Sequence, residues 1–143
     1  MYKILLSLLL ISSISLSAQE IHWAKDFKSG IAQAKKENKP VLFIFSRHTC
    51  KYCRILEQTT LSNKKIIDIL NRDYISIISY SDDNDYTPQE LWRPGTPSIW
   101  FLQSSGKPMF QPVMGALGEE PFLQALGVVQ KEFTDKYKKK SGK

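Results

Sequence analysis

Residues 41–56, VLFIFSRHTCKYCRIL, join an unbroken apolar run to the chain's two cysteines. The run from Val41 to Phe45 is five apolar residues long, which is typical of a strand covered on both faces of a sheet. The stretch that follows can turn into a helix. A buried strand that leads through Cys50 and Cys53 into a helix predicts an α/β domain with the cysteine pair at the end of a central strand.

The spacing of the two cysteines predicts a redox couple. At the start of a helix, residues three apart lie on neighbouring turns, where a disulfide closes without moving the backbone. Closing so short a ring removes only about 2 kcal/mol of unfolded-chain entropy, which is a weak reason for a structural staple. Cys50 lies by the positive helix N-terminus and is the predicted nucleophile. Cys53, one turn deeper, is predicted to resolve the mixed disulfide.

The first residues have the pattern of a secretory signal. A positive start at Lys3 precedes the apolar segment Ile4–Ile11, and small residues end the pattern at Ala18. We therefore predict a cleaved signal peptide, residues 1–18, and a periplasmic location. The apolar segment is about half of the roughly 20 residues that a membrane anchor needs, so a retained anchor is the alternative. An exported protein can keep a disulfide.

The length of the chain predicts one domain, and the distribution of its charges bears on whether it binds nucleic acid. Removal of the signal leaves a region long enough for one compact domain, residues 19–137, and a basic flexible tail, residues 138–143. The whole chain has a formal net charge of +6, and several lysines lie in that tail. We interpret the tail as a solvated end and predict no nucleic-acid partner and a monomer.

The remaining elements follow from hydrophobic periodicity and capping signals. We predict the order α-β-α-(α)-β-loop-β-β-α, with no repeat and no second domain. Before the cysteine motif we predict a helix within 23–39. After it we predict a helix capped by Ser62, a strand at 74–80, a loop at 81–97 with a short helix near 89–91, a strand at 98–102, an edge strand around 109–114 and a helix from about 119. The buried stripe of the last helix is predicted to be Phe122, Leu126, Val129, Phe133 and Tyr137.

A proline marks the end of the long loop. In RPGTPS, residues 93–98, Pro97 stands directly before a strand, where a cis peptide bond would turn the chain sharply and expose the backbone of Thr96. Trp92 in the same loop is predicted to pack in the core, with a place in a substrate groove as the alternative.

These motifs together resemble the thioredoxin superfamily over roughly residues 23–137. The resemblance is carried by the cysteine motif after a central strand, by GTP at 95–97 before a later strand, and by the α/β order. The stretch AKKENKPVLFIFSRHTCKYCRILEQTTL, residues 34–61, is most similar to exported proteins related to the C-terminal domain of DsbD.

The resemblance implies a fold and a site. The fold is a mixed central sheet of five elements flanked by helices. Cys50 is the attacking cysteine, Cys53 the resolving cysteine, and Thr96 with Pro97 forms a cis-proline platform that pairs with the substrate backbone. No organic cofactor and no metal are expected.

The chain departs from thioredoxin at two positions. Thioredoxin has an aspartate six residues before the attacking cysteine and a tryptophan directly before it, where this chain has Ile44 and Thr49. Glu57, four residues after Cys53, matches a glutamate of the DsbD-type domain. We predict that Glu57 replaces the missing aspartate as proton acceptor.

Two further side chains are candidates for tuning the nucleophile. His48, as an imidazolium two residues before Cys50, would lower the pKa of its thiol, and the alternative is an exposed loop residue. Lys51 adds a positive charge beside Cys50.

The function predicted from these features is that of an exported thiol:disulfide oxidoreductase, acting as a reductase of protein disulfides. A DsbD-like membrane donor is a possible redox partner. The alternatives are a disulfide isomerase or oxidant, and a chaperone that binds copper or zinc through His48, Cys50 and Cys53. The direction of electron flow and the substrate stay open.

Overall fold

The computed structural model describes residues 19–138. The predicted signal peptide, residues 1–18, and the last five residues of the predicted tail lie outside the described residues. No helix between residues 19 and 138 combines the length and the apolar character that a membrane crossing requires. The helices are α1 (Phe27–Glu37), α2 (Lys51–Gln58), α3 (Lys64–Asp73) and α4 (Glu119–Glu132), and the strands are β1 (Val41–Ser46), β2 (Ile75–Tyr80), β3 (Ser98–Leu102) and β4 (Val113–Met114).

A mixed sheet with the order β2-β1-β3-β4 forms the centre of the domain. The central strand β1 runs parallel to β2 and antiparallel to β3. All six residues of β1 are buried, as its apolar sequence predicts. The predicted α/β class with a mixed sheet between helices is confirmed, and the end of β1 leads directly to the loop that holds Cys50.

Alternate residues of β1 pack on opposite faces of the sheet. Leu42 and Ile44 belong to the core beneath α2, α3 and α4. Phe43 and its odd-numbered neighbours pack against α1 on the other face. The stripe predicted for the last helix is buried from Phe122 to Phe133, and Tyr137 is only partly buried. Both faces of the strand that precedes the cysteines are therefore rigidly packed.

The sheet is smaller than expected at both edges. The resemblance implies a sheet of five elements, and residues 19–138 form a sheet of four strands. Beside β2, Trp23 makes only an isolated parallel bridge to Ser76, because the N-cap of α1, Asp26, follows soon afterwards. The predicted edge strand around residues 109–114 is reduced to Val113–Met114. Pro112 has no N–H group to extend the ladder.

The cap of α3 differs from the prediction by one residue. The N-cap is Asn63, whose side-chain oxygen accepts hydrogen bonds from the backbone N–H groups of Lys65 and Ile66. The predicted cap, Ser62, instead donates its hydroxyl to the carbonyl oxygen of Glu57 at 2.7 Å. Both residues have capping side chains, and the short turn between α2 and α3 uses Ser62 to satisfy the end of α2.

Candidate active site

The two cysteines lie at the N-terminus of α2, directly beyond β1. Cys50 is the N-cap residue, and its sulfur accepts the backbone N–H of Cys53 at 3.2 Å. Both are free thiols. Cys50 is partly exposed, whereas Cys53 is only 1% exposed. The outer sulfur is thus accessible to another molecule and the inner one is not.

The loop before β3 brings Thr96 and Pro97 against the cysteine pair. The Thr96–Pro97 peptide bond is cis. The Cys50 thiol donates a hydrogen bond to the Thr96 carbonyl oxygen at 3.4 Å. The structure therefore brings together four of the predicted site residues, which come from two distant segments of the chain.

The surroundings of the two thiols shift their pKa values in opposite directions. Burial acts to raise the pKa of Cys50, but hydrogen bonds from the side chains of Cys53 and Thr96 and from the backbone of α2 lower it overall. Burial raises the pKa of Cys53, and the contact with Cys50 raises it further. A hydrogen bond from Ser46 offsets this rise only in part. Cys50 is therefore the thiol that ionises first.

Glu57 lies one turn after Cys53 on α2 and is partly buried. Its Oε1 atom accepts the hydroxyl of Ser46 at 3.2 Å and the hydroxyl of Tyr80 at 3.1 Å. Ile44, at the position of the thioredoxin aspartate, is packed in the core and 1% exposed. The carboxylate at the end of β1 thus comes from the helix and not from the strand.

Ser46 and Tyr80 were not identified from the sequence. They end the parallel strands β1 and β2, and the register of the sheet places them side by side. A signal for Ser46 was present, because it is the one polar residue of β1 and directly follows the apolar run. No local signal for Tyr80 exists, since its role depends on the pairing of two strands.

His48 contacts the turn after β2 rather than the sulfurs. Its ring stacks on Tyr80 with centroids 3.9 Å apart, and its Nε2 atom lies 2.8 Å from the Asp83 carboxylate. Its backbone N–H donates to Asp82. Lys51 extends over the ring of Tyr52, with the amino group 5.9 Å from the ring centroid. The tuning of Cys50 by His48 or Lys51 stays a prediction.

The metal-binding alternative is not supported by the arrangement of its ligands. Within residues 19–138, His48 belongs to a group of possible ligand atoms, all within 4.8 Å of one another, whose other members are Asp82 and Asp83. The two cysteines are not part of this group. The structure does not bring His48, Cys50 and Cys53 together as one site.

The ion pair between His48 and Asp83 predicts a pH-dependent contribution to stability. The hydrogen bond to Asp83 raises the pKa of His48 above its ordinary value of about 6.5. The imidazolium is therefore favoured in the folded state, and the contribution is present below the ordinary pKa and lost as the pH rises through the raised pKa. We expect His48→Asn to lower the melting temperature more at pH 5.5 than at pH 9, measured by circular dichroism. An equal loss at both pH values would contradict this linkage.

Three exposed apolar side chains belong to the cysteine motif, to the proline loop and to β4. Trp92 is 54% exposed, which corrects the prediction that it packs in the core, and Tyr52 is 57% exposed. Met114 is half exposed and lies against Gly95. A Cβ atom added to Gly95 would be 3.2 Å from the methyl group of Met114. Tyr52 lies between the two cysteines in the sequence, Trp92 lies in the loop that ends at Pro97, and Met114 packs beside Gly95 of that loop; we call these three exposed side chains the apolar border.

A family model described as a thioredoxin-like domain matches residues 27–130. The chain belongs to the thioredoxin-like family. The match runs from the first residue of α1 into α4, and it includes both cysteines and the proline loop.

Solved structures with this fold include those that the sequence motifs resemble. Thioredoxin from Thermus thermophilus superposes with a TM-score of 0.67 at 23% identity, over 80% of this chain and 90% of that protein. The oxidised DsbD C-terminal domain of Neisseria meningitidis superposes with a TM-score of 0.56 at 18% identity, over 71% of this chain and 90% of that domain. At these identities the likeness shows the fold, and it confirms the predicted resemblance to thioredoxin and to the DsbD domain.

Among characterised sequences, mouse anterior gradient protein 3 is 26% identical over 88 residues, which is 60% of this chain. The aligned part covers 52% of the mouse protein. The chain thus spans about half the length of this relative.

Proposed function

We propose that this thioredoxin-like protein is an exported thiol:disulfide oxidoreductase that reduces disulfides in other proteins. The observation that carries the proposal is the geometry of the Cys-x-x-Cys pair: the accessible Cys50 is the N-cap of α2 and accepts the backbone N–H of Cys53, which is buried. The opposite directions of the two pKa shifts agree with this geometry. A lowered pKa supplies the thiolate that attacks, and a raised pKa keeps the second thiol in reserve. The predicted signal peptide, residues 1–18, supports a periplasmic location.

The reaction proceeds by two thiol–disulfide exchanges. The Cys50 thiolate attacks one sulfur of a substrate disulfide, the substrate S–S bond breaks, and the other substrate sulfur leaves as a thiolate. Cys53 then loses its proton and attacks Cys50, which releases the second substrate thiolate. The substrate gains two electrons, and the protein is left with a Cys50–Cys53 disulfide. A membrane donor of the DsbD type would restore the dithiol.

The loop before β3 supports a polypeptide as the substrate. Thr96 touches the attacking sulfur, so a substrate segment that pairs with its backbone would place a disulfide at Cys50. The exposed side chains of Tyr52, Trp92 and Met114 offer apolar contacts for residues that flank that disulfide. A small thiol such as glutathione would use little of this border.

The reduction potential of the cysteine pair tests the proposal. The chain from Gln19 onward would be equilibrated with glutathione or dithiothreitol buffers, with Cys50→Ala as the control. We expect a value of about −250 mV or below, as for thioredoxin-like reductants. A value of about −120 mV would show an oxidant instead. If the pair does not cycle between dithiol and disulfide, the oxidoreductase proposal is wrong.

A further inference from the structure

The loop between β1 and α2 consists of exposed residues. Arg47, His48 and Thr49 are all exposed, and they lead directly to Cys50, the N-cap of α2. Within the loop, the backbone N–H of Cys50 donates to the carbonyl oxygen of Arg47 at 3.3 Å. Thr49 stands where thioredoxin has its tryptophan, so this position supplies no buried ring as an anchor. Polar contacts from elsewhere in the chain therefore decide how firmly the loop is held.

Asp82 makes such contacts. It lies in the single helical turn Ser81–Asp83, which directly follows β2. Its carboxylate accepts the backbone N–H of His48 at 2.9 Å and the backbone N–H of Thr49 at 3.3 Å. Because β1 and β2 are parallel and end in register, the two chains leave the sheet side by side. The carboxylate thus binds the loop that precedes Cys50 from the end of the neighbouring strand.

The turn that carries Asp82 is itself closed by hydrogen bonds. The backbone N–H of Tyr80 donates to the Asp85 carboxylate at 2.9 Å, and the backbone N–H of Asp85 donates to the carbonyl oxygen of Tyr80 at 3.2 Å. Asn84 has a left-handed backbone with φ of 57°, which asparagine tolerates. The Asp82 carboxylate is therefore presented to the loop by an ordered turn.

The side chain of His48 is a second connection between the loop and this turn. Its ring lies on Tyr80, and its Nε2 atom lies against the Asp83 carboxylate. The residue two positions before Cys50 is thus bound to the turn through both its backbone and its side chain. These contacts reach the loop and not the sulfur itself.

We propose that Asp82 is a positioning residue for Cys50, which it keeps in the N-cap position and against Thr96 by binding the two N–H groups of the loop. The cap requires an extended backbone at Cys50, which has φ of −90° and ψ of 121°. In a released loop these angles would vary, and the sulfur would spend less time on the N–H of Cys53. The thiolate would then lose part of its stabilisation. The consequence for turnover rests on the proposed oxidoreductase function.

The charge of Asp82 and its positioning role have opposite effects on Cys50. Burial acts to raise the pKa of Asp82, but hydrogen bonds from the backbone of His48 and Thr49 lower it overall. The carboxylate is therefore ionised at neutral pH. Removal of a negative charge near a thiol favours the thiolate, whereas loss of the N-cap position disfavours it. The direction of the change in Cys50 reactivity separates the two effects.

Alkylation of Cys50 by iodoacetamide, followed by mass spectrometry from pH 5 to pH 10, tests the inference. At pH 7 we expect Asp82→Ala to react roughly 3- to 10-fold more slowly than the wild type, because its pH midpoint is higher. At pH 10, where the thiolate is complete in both proteins, the rates should agree within about twofold. Asp82→Asn keeps one oxygen that can accept an N–H group, so we expect it to be slowed less than Asp82→Ala.

Asp85→Asn is the matched control. It removes the same charge from the same turn, and its amide oxygen can still accept the backbone N–H of Tyr80. We expect its alkylation at pH 7 to be no slower than that of the wild type. If Asp85→Asn is slowed as much as Asp82→Ala, the effect does not come from the Asp82 contacts and the inference is wrong.

Turnover is the second readout. A polypeptide substrate requires Cys50 beside Thr96, whereas iodoacetamide requires only the thiolate. We therefore expect Asp82→Ala to lose roughly 10-fold or more in the reduction of insulin with dithiothreitol as the donor, and to lose it at pH 10 as well. A turnover that recovers fully at pH 10 would contradict the placement of Cys50 against Thr96 by Asp82.

The outcomes distinguish this inference from the proposed function. If Asp82→Ala is alkylated at pH 7 as fast as the wild type or faster, the positioning role is wrong. If Asp82→Ala does not fold, amide hydrogen exchange of His48 and Thr49 in the wild type decides. Protection of at least about tenfold over an unstructured peptide supports the inference, and no protection contradicts it. A wild-type protein that is alkylated but does not reduce insulin would instead reject the oxidoreductase proposal.

Discussion

Replacing Cys53 with serine should convert the protein from a catalyst into a trap for its substrates. Cys50 keeps its place at the helix N-terminus and its contact with Thr96, so it still attacks. Without the inner thiol, the mixed disulfide has no resolving group. We expect turnover in the dithiothreitol-driven reduction of insulin to fall at least about 10³-fold, as for loss of a nucleophile in a covalent mechanism.

The trapped species itself is the decisive observation. Mass spectrometry under non-reducing conditions should find Cys53→Ser joined to one substrate chain through Cys50. Cys50→Ser is the matched variant, and it should show neither turnover nor adduct. The proposed roles would be reversed if Cys50→Ser formed the adduct and Cys53→Ser did not.

Replacing Phe43 with alanine should cause the largest loss of stability among single core changes in the central strand. Phe43 is fully buried in the middle of β1, paired with Ile77 on one side and Trp100 on the other. Its ring meets the edge of Phe27 on α1 at a centroid distance of 5.5 Å. Removing the ring leaves a cavity that packed strands on both sides cannot close, so we expect the free energy of unfolding to fall by about 3–5 kcal/mol.

Urea unfolding followed by circular dichroism measures this loss. Phe110→Ala is the matched control, because it removes the same atoms from a residue that is 37% exposed. We expect the control to cost about 1 kcal/mol or less. Similar losses for both variants would mean that the β1 core is not the main source of stability.

Local sequence was sufficient for the elements around the site. Five apolar residues in succession can be satisfied only by burial on both faces, and β1 is buried throughout. Local sequence also predicted β3, Ser98–Leu102, to the residue, and a short helix within the long loop, which is Gln89–Leu91. The place of Cys50 at the N-terminus of a helix followed from its position after such a strand.

Predictions were wrong where two local solutions were of similar energy. Ser62 and Asn63 are both good caps, and the choice between them depended on which carbonyl at the end of α2 needed a donor. Trp92 has the size and polarity to be buried or exposed, and the loop packing left it at the surface. The edge strand was predicted too long because alternation alone does not show how far a partner strand extends.

The sequence by itself determined the α/β class and the position of the cysteine pair at the end of a buried strand, because each depends on residues near one another in the chain. The role of the Glu57 carboxylate as proton acceptor came from the resemblance to the DsbD domain and stays a prediction. Only the tertiary structure decided that Ser46 and Tyr80 hold that carboxylate and that His48 turns to Asp83 instead of the sulfurs. These contacts arise from the parallel pairing of β1 with β2, whose ends meet although more than thirty residues of chain separate Ser46 from Tyr80. Such a pairing is set by the packing of the whole sheet, which no short stretch of sequence encodes.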